Sequence, residues 1–105
     1  QTCALPIYKN DRGQLPFDEW IRSLKDKRAV ARIQVRLKRL TQGNEGDYKS
    51  VGEGVRELRV DEGKGYRVYY GWIDDAVVLL LAGGSKVRQA KDIDKAKQYW
   101  RDYNG

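Results

Sequence analysis

Glu57-Leu58-Arg59-Val60-Asp61-Glu62-Gly63-Lys64-Gly65-Tyr66-Arg67-Val68-Tyr69-Tyr70-Gly71 holds two alternating runs around a turn-rich centre. That is the signature of a β-hairpin. With Glu62-Gly63-Lys64 at the tip, Val60 faces Tyr66 and Leu58 faces Val68, which puts Arg59 opposite Arg67 on the other face of the pair. Like charges facing each other in a sheet repel, so the register requires a compensating anion. Glu57, two residues from Arg59 on the same face, is the internal candidate. The other is an external phosphate, which two guanidinium forks suit.

Downstream, Trp72 and Ile73 lead to the turn signal Asp74-Asp75, and Ala76 to Ala82 is continuously apolar, as for a central strand covered on both faces. Gly83-Gly84 is expected to break that strand, and from about Val87 a last helix gathers Ala90, Ile93, Lys97 and Trp100 on one side. Upstream, Thr41 to Gly54 is rich in Gly, Asn and Asp and reads as loop, as does Asn10 to Gln14. Pro16 suits a first helical position with Asp18 and Glu19 behind it, and this helix runs to about Leu24. Asp26 caps a longer helix whose apolar stripe is Val30, Ile33, Leu37 and Leu40, closed by Gly43. Its other faces carry Lys25, Lys27, Arg28, Arg32, Arg36, Lys38 and Arg39. Such a run is read either as a solvated face or as a partner surface. Gln1 to Ile7 reads like the in-frame translation of a sequencing-library adapter, with residues 1–6 as added sequence, while Leu5 to Lys9 is expected to pair as a strand. The order strand, helix, helix, three strands, helix makes a single α+β domain over residues 1–105 with a mainly antiparallel sheet.

Across 105 residues, 21 Lys and Arg stand against 15 Asp and Glu, a net charge of +6. That balance favours nucleic acid, an acidic protein or an anionic surface as partner. The longest apolar run falls far short of the roughly 20 residues that span a bilayer, so no membrane partner is expected. No signal-peptide pattern is visible, and Cys3 alone cannot form an internal disulfide, so a reducing, cytoplasmic setting is expected. The absence of histidine excludes His-based acid–base chemistry and Cys/His zinc sites, and neither metal nor cofactor is expected.

Several stretches together resemble the HigB-like branch of the RelE/ParE toxin superfamily, the addiction-module killer proteins of bacterial type II toxin–antitoxin systems. They are Pro16-Phe17-Asp18-Glu19-Trp20, Leu24-Lys25-Asp26-Lys27, Gly46 to Val55, Glu57-Leu58-Arg59-Val60, Gly65-Tyr66-Arg67-Val68-Tyr69, Leu79 to Gly84 with Lys86, Asp92-Ile93 and Ala96-Lys97. The resemblance runs in order from about Ile7 to Tyr103. It implies a compact sheet with two N-terminal helices packed on it, a cognate antitoxin partner, and mRNA as substrate, on or off the ribosome. In the ParE branch the target is instead DNA gyrase. Arg67 matches the arginine that ribonuclease relatives place on the scissile phosphate, and Arg59 and Lys86 fall where they carry basic residues. Asp92 lies near the position of their C-terminal catalytic tyrosine, which is a departure.

Cleavage of RNA by the neighbouring 2′-hydroxyl needs a proton acceptor, stabilisation of phosphate charge and a proton for the leaving oxygen. Arg59, Arg67 and Lys86 supply the second. Arginine does not give up its proton, so the acceptor candidates are Glu57, Asp92 or a lysine of depressed pKa. Tyr69 could donate a proton or stack on a base, and Lys64 at the tip joins the RNA-contacting candidates. Three functions remain open: an mRNA endoribonuclease toxin, a non-enzymatic toxin that blocks gyrase, and a basic nucleic-acid-binding module.

Overall fold

In the computed structural model, which describes residues 5–105, Pro16 opens helix α1 (Pro16–Ser23) with Asp18 and Glu19 in its first turn. The readings of Cys3 and of Gln1 to Ala4 fall outside the described residues. Asp26 caps α2 (Lys27–Thr41) by accepting from the Ala29 amide at 3.1 Å, the side-chain cap that satisfies an otherwise unpaired helical N–H. Strands β1 (Tyr48–Gly52), β2 (Val55–Val60), β3 (Tyr66–Ile73) and β4 (Val77–Ser85) follow as an antiparallel meander in the order β1-β2-β3-β4. A single 3-10 turn, Lys86–Arg88, leads into α3 (Gln89–Asn104).

The decisive hairpin has the register read from its alternation: Leu58↔Val68, Arg59↔Arg67 and Val60↔Tyr66. Alternation then sorts the side chains to two faces. Leu58, Val60, Tyr66, Val68 and Tyr70 meet Phe17 of α1 and Ala29, Ile33 and Leu40 of α2 in one core. Val55, Tyr69, Leu79, Leu81 and Ala82 meet Ala96 of α3, with Ile93 and Trp100 beside them, in a second. Each fully buried aliphatic side chain contributes roughly 1.5–3 kcal/mol, so both layers are held chiefly by apolar burial.

The α+β class is as expected, and the element order differs in detail. The expected first strand shrinks to one parallel bridge, Ile7↔Leu80, fixed by Tyr8 N donating to Leu80 O and Leu80 N to Pro6 O, both at 2.9 Å. Pro6 has no N–H with which to extend the ladder, and the Asn10 turn, where its side chain accepts from the Arg12 and Gln14 amides, ends it on the other side. Part of the stretch read as loop is instead β1, joined to β2 through Glu53-Gly54, both at positive φ (58° and 89°) as in the turns that match strand twist. The stretch expected to be a central strand forms β4, at the edge of the four strands, yet Val78 to Ala82 are buried because helices cover both faces. Gly83 and Gly84 do not end it; they lie inside β4, where close packing excludes a side chain. On α3 the buried positions are Asp92 and Ala96, while Ala90 is exposed, so the inward face is rotated from the stripe that included Ala90 and Lys97. Arg36, in the run read either as a solvated face or as a partner surface, reaches inward to donate to Arg59 O at 2.6 Å and to Glu45 O at 3.3 Å. Among the described residues no helix is long and apolar enough to cross a membrane.

Candidate functional site

Two cross-strand rows on the α3 side of the sheet build the site. One is Glu57↔Tyr69↔Ala82; the next is Arg59↔Arg67↔Gly84. Glu57 is fully buried and is the anion the arginine register demanded. Arg59 Nε donates to its Oε1 at 3.4 Å, Tyr69 Oη to its Oε2 at 3.1 Å and Gln89 Nε2 to the same oxygen at 2.8 Å. Arg67 Nε lies 3.9 Å from Oε2, an ion pair without a hydrogen bond, and that buried nitrogen has no other partner among the described residues. A carboxylate stripped of water needs this density of donors to remain charged.

The arginines differ in access. The Arg59 side chain is 37% exposed, that of Arg67 only 14%. Arg67 is thus mostly buried, so removing its side chain also disturbs packing. Tyr69 is fully buried, donates to Glu57, and is therefore not placed to stack on a base. Burial first, and the Glu57 charge second, push its hydroxyl well above the usual phenol range, so it stays protonated.

Lys86 stands on the exposed turn after β4, with its amide donating to Gly65 O at 3.4 Å. It therefore sits at the hairpin-tip end, two pairing steps beyond Arg67, since Arg67 pairs with Gly84 and Tyr66 with Ser85. Lys64 is exposed on the tip itself, outside the Glu57 cluster. Asp92, in the first turn of α3, packs over Gly84, the residue paired with Arg67; a Cβ at Gly84 would overlap Asp92 Oδ2 and stand 2.7 Å from its Cγ. Asp92 is 7% exposed, Oδ2 has no partner among the described residues, and burial raises its pKa against the pull of Arg88 and Lys95. Thus Glu57, Arg59, Arg67 and Tyr69 form one cluster, Asp92 adjoins it across one strand, and Lys86 and Lys64 rim its tip end.

Gln89 is the member that sequence reasoning missed. Its only signal was position, as the first residue of a helix entering beside the arginine strands. Glu45 was missed as well: it accepts twice from Arg56 Nη1 (2.8 and 2.6 Å), once from Tyr70 Oη (2.6 Å) and once from Trp72 Nε1 (3.3 Å), clamping the loop before β1 to the sheet. Arg36 fixes the Arg59 carbonyl from behind, which makes it a positioning residue for the site.

Residues 19–101 match the family model described as Phage derived protein Gp49-like. The chain is also 54% identical over 83 residues to an uncharacterized protein of Haemophilus influenzae, covering 79% of this chain and 84% of that relative. No solved structure matches it.

Proposed function

This chain belongs to the Gp49-like phage-derived family, a toxin–antitoxin-associated family, and from that premise we propose that it is the toxin of a type II pair. The finer assignment is to the HigB-like branch of the RelE/ParE superfamily and to mRNA endoribonuclease activity. The observation that carries the reading is the row Arg59–Arg67 with Glu57 buried between the two guanidiniums. Such a site already holds one anion, and the partly exposed Arg59 offers a phosphate a way in.

In this reading a phosphate of single-stranded mRNA engages Arg59 and Arg67, with Lys86 adding charge from the hairpin tip. As the incoming phosphate takes over Arg59, Glu57 is released toward the substrate and takes the proton of the 2′-hydroxyl as its oxygen attacks phosphorus. The bond to the 5′-oxygen breaks and that oxygen takes a proton from water. Preorganised cations stabilise the added charge at phosphorus, usually the largest single contribution to such catalysis. The family relation supports an antitoxin partner, which would cover the site or hold the chain inactive.

The test is induction of the chain alone in bacteria, with and without a small neighbouring gene, followed by mapping of RNA 5′ ends. Growth arrest relieved by the neighbour, with new mRNA ends that vanish in Arg67→Lys, is the expected result, because one ammonium cannot replace a bidentate fork. Arg67→Lys is preferred to Arg67→Ala since it keeps most of the buried stem. Arrest with DNA damage and no new RNA ends would replace ribonuclease by the gyrase-blocking alternative. Unaffected growth with abundant folded protein would overturn the toxin assignment.

A further inference from the structure

Beside the arginine cluster, on the outer side of β4, a groove of about 480 Å³ opens between α1 and α3. That is within the roughly 300–1,000 Å³ range of small-molecule sites. The bridge to Ile7 covers β4 only at Leu80, so Ala82 to Ser85 form the groove floor with no further strand beside them among the described residues. We propose that this groove is a nucleobase pocket, and that the Asp92 carboxylate within it reads guanine.

Three features specify the ligand. The α1 wall is Trp20, whose half-buried ring lies so close on Gly83 that a Cβ there would overlap it. Tyr99 forms part of the α3 wall, stacked on Tyr8 at 4.9 Å between ring centroids. Flat aromatic walls accept a flat heterocycle by stacking. Next, Asp92 is more than nine-tenths buried, lines this groove, and has an Oδ2 without a hydrogen-bond donor. Buried acceptors are almost always satisfied, so one that lies against Gly84 in the groove wall without a donor calls for a ligand's N–H groups, met by a turn of the Asp92 side chain toward the groove. Guanine alone among the bases presents two adjacent donors, N1–H and N2–H₂, on its Watson–Crick edge, and a carboxylate accepts both. Adenine and cytosine set a donor beside an acceptor, which would face the carboxylate oxygen unfavourably.

The rim gives the base its orientation. Arg88 and Lys95 are exposed on the α3 side, close enough to Asp92 for their charges to act on it, whereas Glu19 lines the α1 side. A nucleotide therefore enters with its phosphate toward Arg88 and Lys95. The same two cations disfavour the competing occupant with paired N–H donors, an arginine side chain of a protein partner. Gly84, under Asp92, pairs with Arg67, so pocket and arginine cluster are adjacent strands apart, roughly 4.8 Å. In the ribonuclease reading, on which only the choice of RNA as the natural strand rests, guanine would lie next to the cleaved phosphate.

Titration of the full chain with guanosine 5′-monophosphate and adenosine 5′-monophosphate, followed by the indole N–H resonance of Trp20, tests the pocket directly. The guanine nucleotide should bind at least about tenfold tighter, a discrimination expected of a paired hydrogen bond. Asp92→Asn, which keeps the shape, should remove that preference, and Lys95→Ala should weaken the monophosphate several-fold while leaving guanosine unchanged. Equal affinity for the two nucleotides would overturn the proposal, as would no saturable binding to a natively folded chain or an Asp92→Asn variant with intact preference. Displacement of the guanine nucleotide by a lower concentration of arginine amide would also overturn it, in favour of a protein ligand. Because free nucleotides are the probe, a chain that binds guanine but cuts no RNA supports the pocket and removes only the reaction.

Discussion

Glu57 is buried at zero exposure where two guanidiniums, a phenol and an amide converge on it. Glu57→Gln would leave Arg59 facing Arg67 with no anion between them. Fully buried pairs broken in this way lose several kcal/mol, but Arg59 is over a third exposed and screened by water, so a loss of about 1–3 kcal/mol is expected. Urea unfolding checks this, and sulfate should restore part of the loss by taking the carboxylate's place. A variant of unchanged stability, indifferent to sulfate, would contradict the ion-pair account. Asp92 behaves in the opposite sense. Its native pKa is raised above 3.8, so the charged form burdens the folded state, and stability falls as pH rises through the window above that value. Asp92→Asn should therefore melt higher than the parent at pH 7, with the advantage fading below about pH 4. An advantage independent of pH would show that the carboxyl is not burdened by its burial. The facing of Arg59 and Arg67 was legible from alternation, because strand period is local. The burial of Arg67 and the arrival of Gln89 were not, since both depend on how α3 lies across the sheet.

The β3–β4 connection carries its own strain. Asp74 and Asp75 sit at φ 53° and 57°, and the Ala76 amide donates to Ile73 O at 3.0 Å, as a type I′ turn requires. Asp tolerates this region less well than Gly, and here two like charges adjoin. Asp75→Gly is expected to stabilise by about 0.5–1 kcal/mol, raising Tm by a few degrees for a domain of this size. A drop in Tm would mean that the Asp75 side chain makes a contact worth more than the strain. The same chemistry explains what could be read and what was hidden among the elements. The Asp74-Asp75 turn announced itself through composition. Strand β1 did not: four of its five residues are exposed, so its sequence lacks the apolar alternation that marks a half-buried strand. Gly83-Gly84 was misleading for a related reason, because a glycine pair signals a break locally and close packing only when Trp20 and Asp92 are known to lie over it.

At the scale of the whole molecule, the sheet separates two positive surfaces. Arg59 and Arg67 belong to its α3 side, whereas α2 packs on the opposite face and turns Arg28, Arg32, Lys38 and Arg39 to solvent. A short RNA cannot neutralise both at once. Single-stranded nucleic acid releases counterions on binding, giving a slope of log K against log salt of about −0.7 per phosphate contact. If RNA sits on the α3 side, Arg59→Ala should make that slope shallower by about 0.7, whereas Arg28→Ala and Arg32→Ala should leave it unchanged. Fluorescence anisotropy with a short labelled oligonucleotide across a salt series measures each slope. The reverse pattern would place RNA on α2 and remove the arginine row from the interface. The expected pattern leaves the α2 surface available to another acidic partner, so an antitoxin could bind there without competing for the arginine site. Competition between antitoxin and oligonucleotide would then separate occlusion of the site from inhibition at a distance: a slope unchanged by bound antitoxin argues for the second, and loss of oligonucleotide binding for the first.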